Sequence, residues 1–315
     1  MPFFSIVIPT YNRAKYISKA IESILSQTFS DFELIIIDDS STDNTSEIIT
    51  SFKDTRIIYL KNNENLERCI SRNKGINIAK GEYICFLDAD DFHLPDHLET
   101  FYNKIKELSF PKAFLFTNAW DETESGLRSE RLCPEFEKHN PFHYFLTYTV
   151  NPQRWCVQKT ILKEHQFDPN VTICEDMDTS LRILNAGFPM YQIKKRTTVY
   201  VAASDSFTHG DQKKWEKELF YLRNIFSRKE LKTKLPLKSK NRLLSMCHFH
   251  LSLKANNSNE IVRFFIHAIK SLFLYPEGYN GKTNKILMVN CFYNLPLIGK
   301  LMASLVKLFK TTKSA

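Results

Sequence analysis

No two of the seven cysteines stand at CxxC spacing, no GxGxxG follows the first apolar run, and no uncharged apolar stretch is long enough for a confident membrane span. The cysteines, at 69, 85, 133, 156, 174, 247 and 291, form an odd, scattered set. That pattern predicts reduced thiols in a cytosolic protein and argues against a zinc site. The missing glycine motif excludes an NAD-binding fold. The amino terminus has no basic segment followed by a long apolar one, so no signal peptide is expected. Internal repeats and low-complexity segments are also lacking.

What is present describes a globular chain. Apolar residues make up 43% and charged residues 25% of the 315, enough for two domains or one large α/β domain with an appendage. The net charge of +8 is unevenly placed. Residues 211–315 hold 20 Lys/Arg against 6 Asp/Glu, or +14, whereas 1–210 hold 23 against 29, or −6. Such asymmetry points the tail at an anionic surface. A membrane is the better candidate than nucleic acid, because no aromatic-basic reading motif accompanies the charge.

Apolar runs at 4–9, 32–38, 56–60 and 82–88 alternate with helical patterns, including one over roughly 66–80 and one for which Pro95 makes a suitable first residue. Continuous apolar strands separated by helices predict a mostly parallel sheet covered on both faces, in which ligands bind beyond the strands' carboxyl ends. Those ends are where the sequence turns polar: Thr10-Tyr11-Asn12, Asp38-Asp39-Ser40-Ser41 and Asp88-Ala89-Asp90-Asp91. Crowded carboxylates resist ionisation unless a cation joins them, and a divalent metal is the natural one. A solvated acidic loop or a helix cap is the alternative. Strand-like runs at 113–118 and 155–158, a helix over about 175–186 and a mostly helical region after 211 complete the reading.

The stretches "SIVIPTYNR" (5–13), "DDSSTDNT" (38–45), "SRNKGINIAKGEYICFLDADD" (71–91) and "EDMDTSLRILNAG" (175–187) together resemble the family 2 nucleotide-sugar glycosyltransferases of the GT-A fold. The resemblance covers about 1–190. It implies a Rossmann-like α/β domain over 1–210, with a nucleotide-binding half (1–110) and an acceptor half (111–210), followed by a helical basic region over 211–315. It also implies inverting transfer of a sugar from a nucleotide diphosphate, expected to be UDP, to a glycan or lipid-linked acceptor, with Mn²⁺ or Mg²⁺.

Residue by residue, the resemblance makes Asp90 the metal ligand and Asp88 a holder of ribose or metal. Asp39 would meet the nucleobase, with Pro9 and Tyr11 shaping its pocket, and Arg72 the diphosphate. Asp176 would be the base that takes the acceptor's proton, with Glu175 and Arg182 in support. Each has a plainer alternative: Asp38 and Asp39 as helix starters, Arg72 as a solvated cation, Asp176 as a first-turn acid favoured by the helix dipole. His209 would be a further metal-side residue, although Ala202 and Ala203 stand where relatives place it, and a lone His is commonly an ordinary polar residue. Trp155 would pack on the acceptor sugar or in the core. The basic amphipathic tail at 300–313 would lie on an anionic membrane, placing the enzyme at the cytoplasmic face. A metal-dependent phosphotransferase or hydrolase and a non-catalytic nucleotide-sugar binder remain the rival readings.

Overall fold

The structure, a computed structural model, describes residues 1–123, 125–148, 150–202, 213–258 and 260–276. The chain divides into two compact units, Met1–His209 and Gly210–Ala315.

The first unit opens with β1 (Phe4–Thr10), α1 (Ile17–Leu25), β2 (Phe32–Asp38), α2 (Thr45–Ser51), β3 (Ile57–Lys61), α3 (Glu67–Ile78) and β4 (Tyr83–Phe86). All four strands are parallel, in the order β3-β2-β1-β4. Every residue of β2 is buried, as is all of β1 but Pro9, which is why both read as continuous apolar runs rather than alternations. α1 turns Ile17, Ala20, Ile21 and Ile24 into the core. α3 lies so close to β1 that a Cβ on Gly75 would stand 2.4 Å from Val7 Cγ1.

The chain continues through β5 (Phe92–His93), α4 (His97–Glu107), β6 (Phe114–Glu122), β7 (Arg128–Glu130), α5 (Pro141–Thr147), β8 (Trp155–Gln158), α6 (Lys159–Glu164), α7 (Glu175–Asn185) and β9 (Met190–Val201). The full sheet runs β3-β2-β1-β4-β8-β6-β9-β5, with β7 paired to β6. Most residue pairs are parallel, but β8 enters antiparallel to both β4 and β6. Pro95, expected to open a helix, instead precedes the N-cap Asp96 of α4. Its carbonyl accepts the Thr28 N–H at 2.9 Å and so fastens this turn to the end of α1.

The second unit contains α8 (Lys214–Ser227), α9 (Lys229–Lys232), α10 (Leu237–Asn257) and α11 (Ile261–Leu274), the helical region expected after 211. α10 and α11 pack through Phe249, Ala255, Phe264, Ala268 and Leu272, and the Ser245 and Ser271 hydroxyls meet at 3.0 Å. The outer face of α11 exposes Val262, Ile266, Ile269 and Phe273. No helix among the described residues is long and apolar enough to cross a membrane. The tail at 286–313 and His209 lie outside the described residues.

Candidate active site

The three polar clusters converge at the carboxyl edge of the parallel strands, where sheets of this type take their ligands. Asn12 ties the first two together: its N–H donates to Ser41 Oγ at 3.0 Å and its Oδ1 accepts the Thr42 N–H at 2.8 Å. Both loops need a left-handed residue to turn, Asn12 at φ 51° and Ser40 at φ 69°. Between them opens a cleft of about 510 Å³ whose lining includes Pro9, Tyr11, Asp39, Arg72, Asp88 and Asp90.

Asp38 and Asp39 divide their labour. Asp38 is fully buried and accepts from the Ser41 N–H, Ser46 Oγ and Tyr59 OH at 2.8, 2.7 and 2.9 Å. Burial raises its pKa, and these hydrogen bonds outweigh burial and hold it below the usual carboxylate value. It is a structural anchor. Asp39 uses Oδ1 to accept from Asn62 Nδ2 at 2.6 Å and the Leu66 N–H at 3.0 Å, and lines the cleft.

The carboxylate turn after β4 is gripped from several sides. Arg72, on α3, is 2% exposed; one terminal nitrogen donates to Asp88 Oδ1 and the other to Glu175 Oε1, each at 2.9 Å. Gln153 Nε2 donates to Asp88 Oδ2 at 2.5 Å and to Asp91 Oδ2 at 3.0 Å. Arg13 approaches Asp90 at 3.6 Å. Asp91 also accepts the Val201 N–H at 2.9 Å. Burial, followed by the Asp90 and Asp88 charges, pushes the Asp91 pKa well above its ordinary value. Asp91 thus supports the turn from inside.

Among the described residues no three His, Cys, Asp or Glu side chains converge as a metal-ligand set. The chemistry of the turn still suits a hard divalent cation. Its donors are carboxylate oxygens, and after burial the Asp90 and Asp88 charges are the next contributors to the raised Asp91 pKa, which marks the turn as rich in negative charge. Such an ion would take protein oxygens from Asp90 and Asp88 and complete its shell from elsewhere.

Asp176 is not among the residues lining the cleft. It stands half-buried in the first turn of α7, next to the Glu175 that Arg72 holds, after Cys174 enters the helix at φ 65°. Burial first, then the Glu175 charge, raise its carboxyl to about 7, against opposing contributions from the Met177 N–H, Arg72 and Arg68. Arg182, expected to support this pair, instead donates to Asp178 Oδ2 at 2.9 Å and to the Gln166 carbonyl at 2.6 Å, bracing α7 itself. Trp155 does not reach an acceptor. It is fully buried, its indole N–H donates to the Val150 carbonyl at 2.7 Å and its ring stacks on Phe167.

Sequence reasoning missed Gln153, Arg13, Arg68, Arg131 and Tyr200, all of which line the cleft. The one available signal was position: Gln153 stands two residues before the strand-like "WCVQ", which pairs with β4 beside the carboxylate turn.

The model of the family described as Glycosyl transferase family 2 matches residues 5–165. TuaG of Bacillus subtilis (strain 168), whose name assigns it to teichuronic acid biosynthesis, is 31% identical over 71% of this chain and 88% of its own length. WfaP of Escherichia coli, a UDP-Glc:alpha-D-GlcNAc-diphosphoundecaprenol beta-1,3-glucosyltransferase, is 42% identical over 39% of this chain, a match spanning 49% of that protein. Three relatives matched over 58% to 71% of this chain are themselves spanned over 65% to 88% of their lengths. The crystal structure of S. aureus TarS 1-349 in complex with UDP-GlcNAc superposes with a TM-score of 0.62, covering 100% of this chain and 92% of that one. At 18% identity that likeness speaks for the GT-A fold. The family model spans more than half of the chain and TuaG, also a glycosyltransferase by name, agrees with it: the chain belongs to glycosyl transferase family 2.

Proposed function

We propose that the chain is an inverting glycosyltransferase. It moves a sugar from a UDP-sugar to a glycan or lipid-linked acceptor in surface polysaccharide synthesis, with Mn²⁺ or Mg²⁺ at the donor's diphosphate. The observation that carries this is the meeting of Asp39, Arg72 and the Asp88–Ala89–Asp90 turn in one cleft. The names of TuaG and WfaP support the acceptor class, and that of WfaP supports the donor.

In this reading Asp39 accepts from the nucleobase edge while Pro9 and the 42%-exposed Tyr11 offer the base a flat apolar face. Arg72, its fork holding Asp88 and Glu175, sets a positive charge on the diphosphate side of the cleft. Asp90, with Asp88, holds the cation. A bound Mn²⁺ or Mg²⁺ supplies Lewis-acid stabilisation of the charge that develops on the diphosphate. The acceptor hydroxyl attacks the anomeric carbon from the face opposite the leaving diphosphate. A new C–O bond forms, the old one breaks with its electron pair going to the diphosphate, and the hydroxyl proton passes to Asp176. A carboxyl near neutrality suits that transfer, since base strength and ionised fraction are then both useful. The excess of basic residues after 210 and the exposed apolar residues of α11 support attachment to the cytoplasmic membrane face.

Calorimetric titration with UDP, with and without Mn²⁺, tests the reading on the natural chain and on Asp90→Ala. Metal-dependent binding that the substitution abolishes is expected. Failure of the natural chain to bind UDP, GDP, TDP and CDP alike would sink it.

A further inference from the structure

Gln153 lies in no motif, yet the residues around the carboxylate turn are built around it. It sits in a single 3-10 turn, Pro152–Arg154, that delivers the chain into β8 against β4. The residue is 3% exposed. Its backbone carbonyl is fixed by two buried side chains: His93 Nε2 lies 2.9 Å away and Thr198 Oγ1 donates to it at 3.0 Å. From that fixed base the carboxamide reaches across the turn, one nitrogen serving Asp88 and Asp91 together. The amide's orientation is set by chemistry, since both partners are carboxylate oxygens and only the NH₂ end donates. The other end is left without a partner: Oε1 is buried and accepts no hydrogen bond. Leaving a buried carbonyl unpaired is unfavourable, so packing alone does not explain a Gln here.

We infer that Gln153 is a positioning residue for the donor reaction. With Arg72 on one oxygen of Asp88 and Gln153 on the other, that carboxylate has a single orientation, and the same amide fixes its separation from Asp91. The Asp88–Ala89–Asp90 turn therefore meets the donor's diphosphate already shaped. Without the bridge, the two carboxyl groups are held only from their outer sides, by Arg72 and by the Val201 N–H, and nothing fixes their separation. This inference rests on the reading of the cleft as a nucleotide-sugar site.

The test uses Gln153→Met, which keeps length and volume but donates nothing, and Gln153→Glu, which keeps the shape and replaces the donor with a third carboxylate. UDP affinity is measured with and without Mn²⁺, together with donor KM and kcat on UDP-glucose and melting temperature. Removing a group that orients a metal-site ligand typically costs 10- to 100-fold, so Gln153→Met is expected to weaken Mn²⁺-dependent UDP binding about that much. Metal-free UDP binding should stay within twofold, and Gln153→Glu should lose more than Gln153→Met. Thr198→Val, which removes one of the two holds on the Gln153 carbonyl, should shift the same quantities less. It keeps the inference testable if position 153 does not tolerate change. Binding and KM that stay within twofold in every variant that folds would overturn the inference. So would losses that are equal with and without Mn²⁺, because a general packing defect predicts those. Failure of the natural chain to bind any nucleotide would instead count against the underlying reading.

Discussion

Arg72 is a buried cation whose two terminal nitrogens serve carboxylates from different elements, so its loss takes the cation from Asp88 and the nearer of two cations from Glu175. Breaking a buried ion pair by removing one member typically costs 3–5 kcal/mol. Arg72→Met should therefore lower stability by about that amount in urea unfolding, and Arg72→Lys should not restore it, because an ammonium lacks the fork that spans Asp88 and Glu175. Asp176 makes a different prediction. Its carboxyl, raised from 3.8 to about 7, keeps its proton in the folded chain where the unfolded chain has released it. Its contribution to stability is complete below pH ~4 and is lost as pH rises towards 7. Under the proposed mechanism the base, in contrast, is active only once ionised, so kcat should climb through pH ~7. Asp176→Asn should flatten both profiles and reduce kcat by about 10²- to 10⁴-fold while leaving UDP affinity unchanged. A kcat profile that still climbs through pH ~7 in Asp176→Asn would remove the base role. Asp39 and the carboxylate turn were legible in the sequence because polar residues at the ends of apolar strands have few other reasons to be there, whereas Arg72, on α3, was reached only through the resemblance. Gln153 was not, because what distinguishes it is two distances. Trp155 was ambiguous because burial is not written in residue type.

At the level of elements, α3 decides where two of the cleft's arginines stand, and Gly75 decides where α3 stands. Because an added Cβ would fall 2.4 Å from Val7 Cγ1 and 2.9 Å from Val7 Cγ2, Gly75→Ala must push the helix off β1 or distort the strand. Overpacking of this kind costs about 1–3 kcal/mol. Each kcal/mol should lower the melting temperature by about 2–4 °C in a unit of this size. Since Arg68 and Arg72 ride on the same helix, kcat/KM should fall in parallel, as Ala at a solvent-facing helical position would not make it do. Calorimetric melting and initial rates on the same preparation check both. β1, β2 and β3 were readable as continuous apolar runs and α1 from its helical periodicity, since each spans enough residues for a pattern. β5 and β7 have only two and three residues, too few for any period to show. The antiparallel entry of β8 was hidden for another reason: a short apolar run carries no mark of its direction.

For the molecule as a whole, charge is the coarsest feature. The surplus of basic residues in 211–315, with Val262, Ile266, Ile269 and Phe273 exposed along α11, leads to a binding experiment. The full chain should float with vesicles containing anionic lipid at low salt and release them near 0.5 M salt, where the screening length is only about 4 Å. Neutral vesicles should capture far less, and Ile266→Asp with Phe273→Asp should weaken capture further. A chain that stays in solution with anionic vesicles would show the charge to be merely surface. The helical character of this region was legible in the sequence, but its tail bears no part in the structure described. The ion pair between Arg72 and Glu175 joins residues 103 positions apart. Closing so long a loop carries an entropic penalty that short-range contacts do not, and contacts of this kind form late in folding. During synthesis the strands and loops that would receive a nucleotide leave the ribosome well before α7, so for that interval Arg72 lacks one of its counter-ions. The arrival of α7 brings Arg72 its second carboxylate and sets Asp176 beside Glu175 in the same event, so under the proposed mechanism a half-made chain has no stage at which it holds a donor correctly and is also able to use it.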